Sequence, residues 1–234
     1  DDWGAVSSLE TSGSGAMRFL IRDDPDEARG RVSEVMASWP REPFAFAHFG
    51  EHSARVAEAM YRGGDTAWQY LETERARHER AFLLKTGFGK TLLAMSRGQA
   101  ALNAYVTAPT GQLAAKYLDA AQAASRAQHG AKSQLARITM IDAQLAVLAG
   151  ETERAIELTR ADAHEATRLN YDLSKAPLTY LEGLLVGGET GREQREKALA
   201  LHDWVARNIE FDVAAFASDR MRYHSAIETL DVRK

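Results

Sequence analysis

The sequence contains no cysteine. That absence removes disulfides, thiol nucleophiles and thiolate metal ligands together, and makes a reducing cytosol the default compartment. Proline occurs at only five positions, 25, 40, 43, 109 and 177, each at a predicted helix edge. No apolar run approaches the roughly 20 residues of a membrane-spanning helix. No alternating β-branched run flanked by hairpin turns is present, so strands are not expected. Net charge is −4 with an isoelectric point near 6.0, which supplies no positive field for nucleic acid or an anionic membrane. The first residues, DDWGAVSS, form neither a basic nor an apolar leader and lack a starting Met; the chain reads as a fragment of something longer. A G-x-S-x-G nucleophile elbow is also missing.

What the chain does hold is an ordinary soluble balance, 45% hydrophobic and 26% charged residues, dominated by the strong helix formers Ala, Leu, Glu, Gln and Arg. Its punctuation is glycine followed by a capping residue. GGDT (Gly63 to Thr66), PTG (Pro109 to Gly111), AGET (Ala149 to Thr152) and GGET (Gly187 to Thr190) each read as the end of one helix and the start of the next. Glycine takes the left-handed position that ends a helix, and Asp or Thr accepts hydrogen bonds from the first N–H groups of its successor. The four openings, at Asp65, Thr110, Glu151 and Glu189, are spaced by 45, 41 and 38 residues. That spacing fits one helical hairpin per repeat, somewhat above the roughly 34 residues of a tetratricopeptide unit.

Each segment also carries an apolar stripe at helical spacing. The stripes are Phe46, Phe49, Val56 and Met60; Trp68 and Leu71; Leu113, Tyr117, Ala121 and Ala124; Ile138, Ile141, Leu145 and Leu148; and Ala198, Leu201, Val205 and Ile209. Between Glu151 and Asn170, the small residues Ala155 and Ala163 stand where helices would approach closely. The predicted fold is all-α, an α-solenoid of tetratricopeptide-like hairpins, with a compact helical bundle as the alternative. The whole chain, 1–234, is expected to form one domain: 1–41 a partial first repeat, 42–209 four helical hairpins, and 210–234 a C-terminal cap.

Two short stretches suggest chemistry. Gly87 to Thr91, GFGKT, supplies the second half of a phosphate-binding loop, but Leu84 stands where the first glycine is required. That loop must also emerge from a buried strand. Ala67 to Leu84 is instead a charged amphipathic stretch predicted to be helical, and Leu84, Phe88, Leu92, Met95 and Leu102 continue as one apolar face. Ile138 to Asp142, ITMID, imitates the companion strand, yet Leu135, Leu145 and Leu148 keep helical spacing around it. A nucleotide site is therefore not expected. The second stretch, His48 to His52, HFGEH, matches the H-x-x-E-H pattern of a zinc protease. On a helix two imidazoles one turn apart could share an ion with Glu51 as base. No third ligand is paired with them, and the segment fits a repeat helix without remainder, so a metal-dependent hydrolase is the alternative and not the expectation. The acidic group around Pro25 (Asp23, Asp24, Asp26, Glu27) reads as helix N-terminal chemistry over Pro25 to Ser38. The alternation of Glu72, Glu74 and Glu79 with Arg75, Arg77 and Arg80 reads as a solvated face, and Trp3, Trp39, Trp68 and Trp204 as core anchors.

RDDPDEARGRVSEVMASWPREPFAFAHF (Arg22 to Phe49), MYRGGDTAWQYL (Met60 to Leu71) and RGQAAL (Arg97 to Leu102) carry an acidic-Pro helix start, a helix-ending Trp, an aromatic-His segment and a Gly-Asp turn. Together these segments resemble the C-terminal helical-repeat region of large bacterial serine/threonine protein kinases. The resemblance implies a kinase-associated parent protein. This chain itself has no H-R-D loop, no D-F-G and no V-A-I-K strand, so kinase activity is not implied for it. Similar arrays occur in signalling ATPases as sensor regions.

The functional expectation is a non-catalytic, cytoplasmic module without cofactor or metal. It would bind a protein or peptide, or another domain of its own parent, and regulate a signalling enzyme such as a serine/threonine kinase; sensing of a small molecule is a further alternative. Stacked hairpins leave a groove lined by the first helix of each pair. The side chains expected off the core stripe there are His48, His52 and Arg55, then Lys90, Arg97 and Arg137.

Overall fold

A computed structural model describes residues 16, 19–20, 22–108, 110–130, 140–168 and 175–208. The described residues are helical, with no strand among them. In chain order the helices are α1 (Pro25–Met36), α2 (Phe46–Tyr61), α3 (Thr66–Thr73), α4 (Arg75–Arg80), α5 (Phe82–Lys85), α6 (Gly87–Thr107), α7 (Gly111–His129), α8 (Ile141–Leu148), α9 (Thr152–Arg168), α10 (Lys175–Val186) and α11 (Gly188–Asn208).

Local chemistry sets most of these boundaries. Pro25 opens α1, where its missing N–H costs nothing, and the Asp24 carboxylate accepts the Glu27 N–H at 3.0 Å. α1 ends at Met36, two residues short of the expected Ser38. Gly63, Gly150 and Gly187 all follow helix ends with positive φ. At the second of these the Gly150 N–H reaches the Val147 carbonyl (3.1 Å) and the Glu151 N–H reaches the Ala146 carbonyl (2.9 Å). This paired return closes a helix on a left-handed glycine. Asp65 and Thr110 stand immediately before α3 and α7, as the spacing predicts, but neither side chain bonds a first-turn amide. Asp65 instead accepts from Gln69 Nε2 at 2.7 Å.

Packing runs mainly between sequence neighbours: α1 on α2, α6 on α7, α8 on α9, α9 on α10 and α10 on α11. In the middle α3 also reaches over α4 and α5 to α6. Three apolar clusters result. One joins Ala28, Val32 and Met36 to Ala54 and Ala57. The largest gathers Val56, Met60, Trp68, Leu71, Leu102, Tyr117 and Ile141 with alanines 100, 101, 104, 121 and 124. The third holds Met140, Ala143, Ala166, Leu178 and Leu181. Small residues set the closest approaches. A Cβ on Gly98 would stand 2.4 Å from the Ala124 Cβ, and one on Gly191 would stand 2.3 Å from the Gly183 carbonyl oxygen. The second position is a backbone-to-backbone crossing of α10 and α11.

The predicted stripes hold at Val56, Met60, Trp68, Leu71, Tyr117, Ala121, Ala124 and Ile141, all buried. Leu113 is a correction. It is exposed, and Ala114 takes its place in the core, because a methyl group admits the closer approach of α7. The stretch from Ala67 to Leu84 is a second correction: it is three short helices and not one. Glu74 sits near φ −86°, ψ 0° and Ala81 takes an extended ψ of 116°. These breaks let Trp68 and Leu71 join the α6–α7 core while His78 turns towards α2. Ile138, the side chains of Phe46, Leu84, Phe88, Leu201, Trp204 and Val205, and residues Trp3, Leu135, Arg137 and Ile209 lie outside what is described.

Candidate functional site

The GFGKT stretch forms the first turn of α6. Thr86 precedes the helix, and its hydroxyl oxygen accepts the Gly89 N–H at 3.1 Å. The amide that a phosphate would claim is therefore already satisfied by the neighbouring side chain. Upstream stands the short helix α5, so the strand that gives a phosphate loop its geometry is not there. Ile141 and Asp142 open α8 and belong to no strand.

His48 and His52 share a face of α2, and that face points inward. His48 is 2% exposed and His52 1%. Their expected position on an open groove is thereby corrected: the stripe that Phe46, Phe49, Val56 and Met60 define is wider than it reads, and the two imidazoles fall within it. His48 Nδ1 accepts the N–H of Ala45, the residue preceding α2, at 2.9 Å. The ring thus closes the start of its own helix and carries its proton on Nε2, which is buried without a hydrogen-bond partner among the described residues. On His52 both ring nitrogens are buried without one.

A third imidazole joins them. His78 of α4, 3% exposed, meets His52 edge-on with centroids 4.5 Å apart and an interplanar angle of 85°. Phe44 lies 5.5 Å from His48 and 6.3 Å from His78, Trp39 stands edge-on to His48 at 6.5 Å, and Tyr70 tilts against His52 at 6.1 Å. Sequence reading did not single out His78. It sits among Arg75, Arg77, Glu79 and Arg80, and only the break at Glu74 turns it inward.

Electrostatics follow from this enclosure. Burial, with a smaller contribution from the neighbouring His78, lowers the His52 pKa from 6.5 to about 3. Burial also lowers His78, against the pull of Glu74, and burial raises the Tyr70 phenol, reinforced by Glu51 and Glu74. Around the rim Glu51 binds Arg55 at 2.9 Å, and Glu74 binds both Arg41 and Arg77 at 3.2 Å. The Arg77 guanidinium lies 5.1 Å over the Phe44 ring. Among the described residues no group of three His, Asp or Glu side chains is arranged to hold a metal ion. Glu51, the base of the zinc-protease pattern, is ion-paired with Arg55.

Of the remaining residues expected off the core stripe, Arg55 and Arg97 are each held by an ion pair. Arg55 is tied to Glu51. Arg97 binds Glu72 at 2.7 Å and lies 5.4 Å over Trp68, beside Lys116, which shares both the carboxylate and the ring. Lys90 is exposed at the start of α6, and Arg137 is outside the described residues. A separate open groove of about 390 Å³ lies between α6, α7, α8 and α9, floored by Leu118, Leu145 and Leu158 and rimmed by Asp142, Glu151 and Arg154.

No family model, curated protein or solved structure matches the chain. No described helix is long and apolar enough to cross a membrane.

Proposed function

We propose that the chain is a non-catalytic interaction module, a tetratricopeptide-like helical-repeat array. It binds a protein, or another domain of its parent polypeptide, and so regulates a signalling enzyme such as a serine/threonine kinase in the cytoplasm. One observation carries the reading. His48 and His52, the chain's best-matched chemical signature, are spent on packing and on closing the start of α2. The Gly89 amide of the phosphate-loop imitation is likewise engaged by its own helix start, which favours a role for the outer surface. Helices that pack largely on their sequence neighbours support the array.

The test is affinity capture with the tagged chain from a bacterial lysate, followed by a kinase assay on the captured fraction with and without added chain. The expected result is a stoichiometric protein partner whose activity the chain changes. Zinc retained at one equivalent and lost in His52→Ala, with hydrolytic activity lost alongside, overturns the proposal in favour of the hydrolase. A second reading, small-molecule sensing, has the α6–α9 groove in its favour: about 390 Å³ is within the size range of ligand pockets. A ligand there raises the melting temperature in a thermal-shift screen, and Leu145→Trp abolishes that rise.

A further inference from the structure

Buried polar atoms in folded proteins almost always have a hydrogen-bond partner, and each exception asks for a reason. His52 is such an exception at both ring nitrogens. As a neutral ring it is tolerated among His78, Tyr70 and its own helix. As a cation it would carry two N–H donors into a space with no acceptor to receive them.

The groups facing it are already committed. On its own helix Glu51 is bound to Arg55. From α3 comes the Tyr70 phenol, and from the α3–α4 junction Glu74, bound to Arg41 and Arg77. From α4 come Arg77 and the second buried base, His78. From α6 comes Arg97, bound to Glu72. Arg77 and Arg97 raise the cost of a positive charge on the adjoining His78, and the carboxylates are engaged elsewhere.

A proton on His52 must therefore displace a neighbour, and the helices differ in how firmly they are held. α2 runs 16 residues and seats Val56 and Met60 in the main core. α4 is six residues long, is broken from its neighbours at Glu74 and Ala81, and buries only His78 within its span. A helix that short does not persist without tertiary support.

We propose that α4 is an acid-released latch: protonation of His52 expels His78 and the α4 turn from the face of α2. Leaving with it are the Arg77 contacts to Phe44, Glu51 and the Arg41 carbonyl, so the opening uncovers an aromatic–histidine surface that the closed form hides. His48 stays behind, fastened to the Ala45 amide. Burial opposes a proton on both His52 and His78 in the closed form, so both rings drive the equilibrium the same way. His52 alone multiplies the opening constant about tenfold per pH unit below about 6.5, or about 30-fold at pH 5.

The experiment is native-state hydrogen exchange by mass spectrometry on the full chain at pH 7.5, 6.0 and 5.0, corrected for intrinsic exchange rates. Peptides covering 75–85 are expected to lose protection by about 30-fold at pH 5, and at every pH to exchange through an opening well below the global unfolding that limits α6 and α7. His52→Phe, which keeps a ring without a base, is expected to flatten most of that dependence. Exchange at the imidazole C2 position of the unaltered chain reports each ring's protonation without any substitution, and should place His52 well below 6.5 in the closed form. Protection of 75–85 that does not change with pH, an identical profile in His52→Phe, an ordinary His52 titration near 6.5, or protection of 75–85 equal to that of α6 and α7 at every pH each overturns the latch.

Discussion

Consider the replacement of Gly98 by alanine. In most helices this change is favourable, because glycine costs about 1 kcal/mol against alanine in a helix interior. At position 98 the added Cβ would stand 2.4 Å from the Ala124 Cβ of α7 and 3.0 Å from the Ile141 Cδ1 of α8. Carbon atoms rest at about 3.5–4.0 Å, so α6 and α7 must separate by roughly 1 Å where both neighbours are fully buried. Overpacking of this kind costs about 1–3 kcal/mol. Set against the propensity gain, the net loss is about 0–2 kcal/mol, or up to several degrees of melting temperature at about 2–4 °C per kcal/mol for a chain of this size. Gly30, exposed in α1 with nothing within 4 Å of its built Cβ, is the matched control: Gly30→Ala should stabilise by about 0.5–1 kcal/mol. Ala124→Gly in the Gly98→Ala background returns the lost space and should cost about 1 kcal/mol less, by urea denaturation, than the same change in the native chain. Equal stabilisation by Gly98→Ala and Gly30→Ala would refute the claimed approach of α6 to α7.

Four other substitutions or conditions address different parts of the molecule. Acid should weaken the whole fold: unfolded His52 takes a proton near pH 6.5 while the folded ring waits until about 3. Its contribution is therefore complete above 6.5 and lost as pH falls through that window, about 2 kcal/mol by pH 5, and His52→Phe should remove that slope in urea titrations. Glu58→Gln should cost about 1–2 kcal/mol, because the buried carboxylate joins Arg29 of α1 at 2.9 Å to Arg62 at the end of α2. Thr86→Ala should lower stability by about 1 kcal/mol through loss of the Gly89 cap. ATP with magnesium should leave the melting temperature of both the native chain and Lys90→Ala unchanged, and a rise in the native chain alone would restore the phosphate-loop reading.

The parts of this fold that were legible in the sequence are those decided locally. Gly150 closes α8 because only glycine takes its φ of +79° without strain, and the Ala-Gly-Glu-Thr string announces that geometry wherever it occurs. Pro25 with Asp24 announces the start of α1 in the same way. The division of Ala67 to Leu84 into α3, α4 and α5 was not legible, since Glu, Arg and Ala all favour continuing the helix. What ends it is remote: Trp68 must reach Tyr117 of α7 while His78 must reach His52 of α2, and no straight helix serves both. Leu113 misled for a related reason. A stripe through 113, 117, 121 and 124 and one through 114, 117, 121, 124 and 128 have the same period, and the choice rests on how near α7 lies to α6. That distance is fixed by Gly98 and Ala124, twenty-six positions apart in sequence. The candidate site was half visible. His48 and His52 were marked by their spacing, but inward and outward faces of an amphipathic helix are separated by hydrophobicity, and histidine scores as neither.

Two interfaces in the same chain thus rest on opposite physics. Between α6 and α7, alanine and glycine bring the backbones close around an apolar core, and opening exposes mainly apolar surface to water. Between α2 and α4, aromatic and imidazole rings meet with three buried nitrogens unpartnered, so hydration of those nitrogens offsets part of what is lost when the rings separate. Apolar burial on the second side is slight, since α4 contributes one buried side chain. Local opening free energies follow these differences, lowest where few apolar contacts hold a short element and polar groups gain water on release. Under the proposed latch, a chain with one cohesive interface and one that yields to a proton would change its exposed surface at α4 while α6 and α7 stay packed. That difference rests on the chemistry of the packed rings.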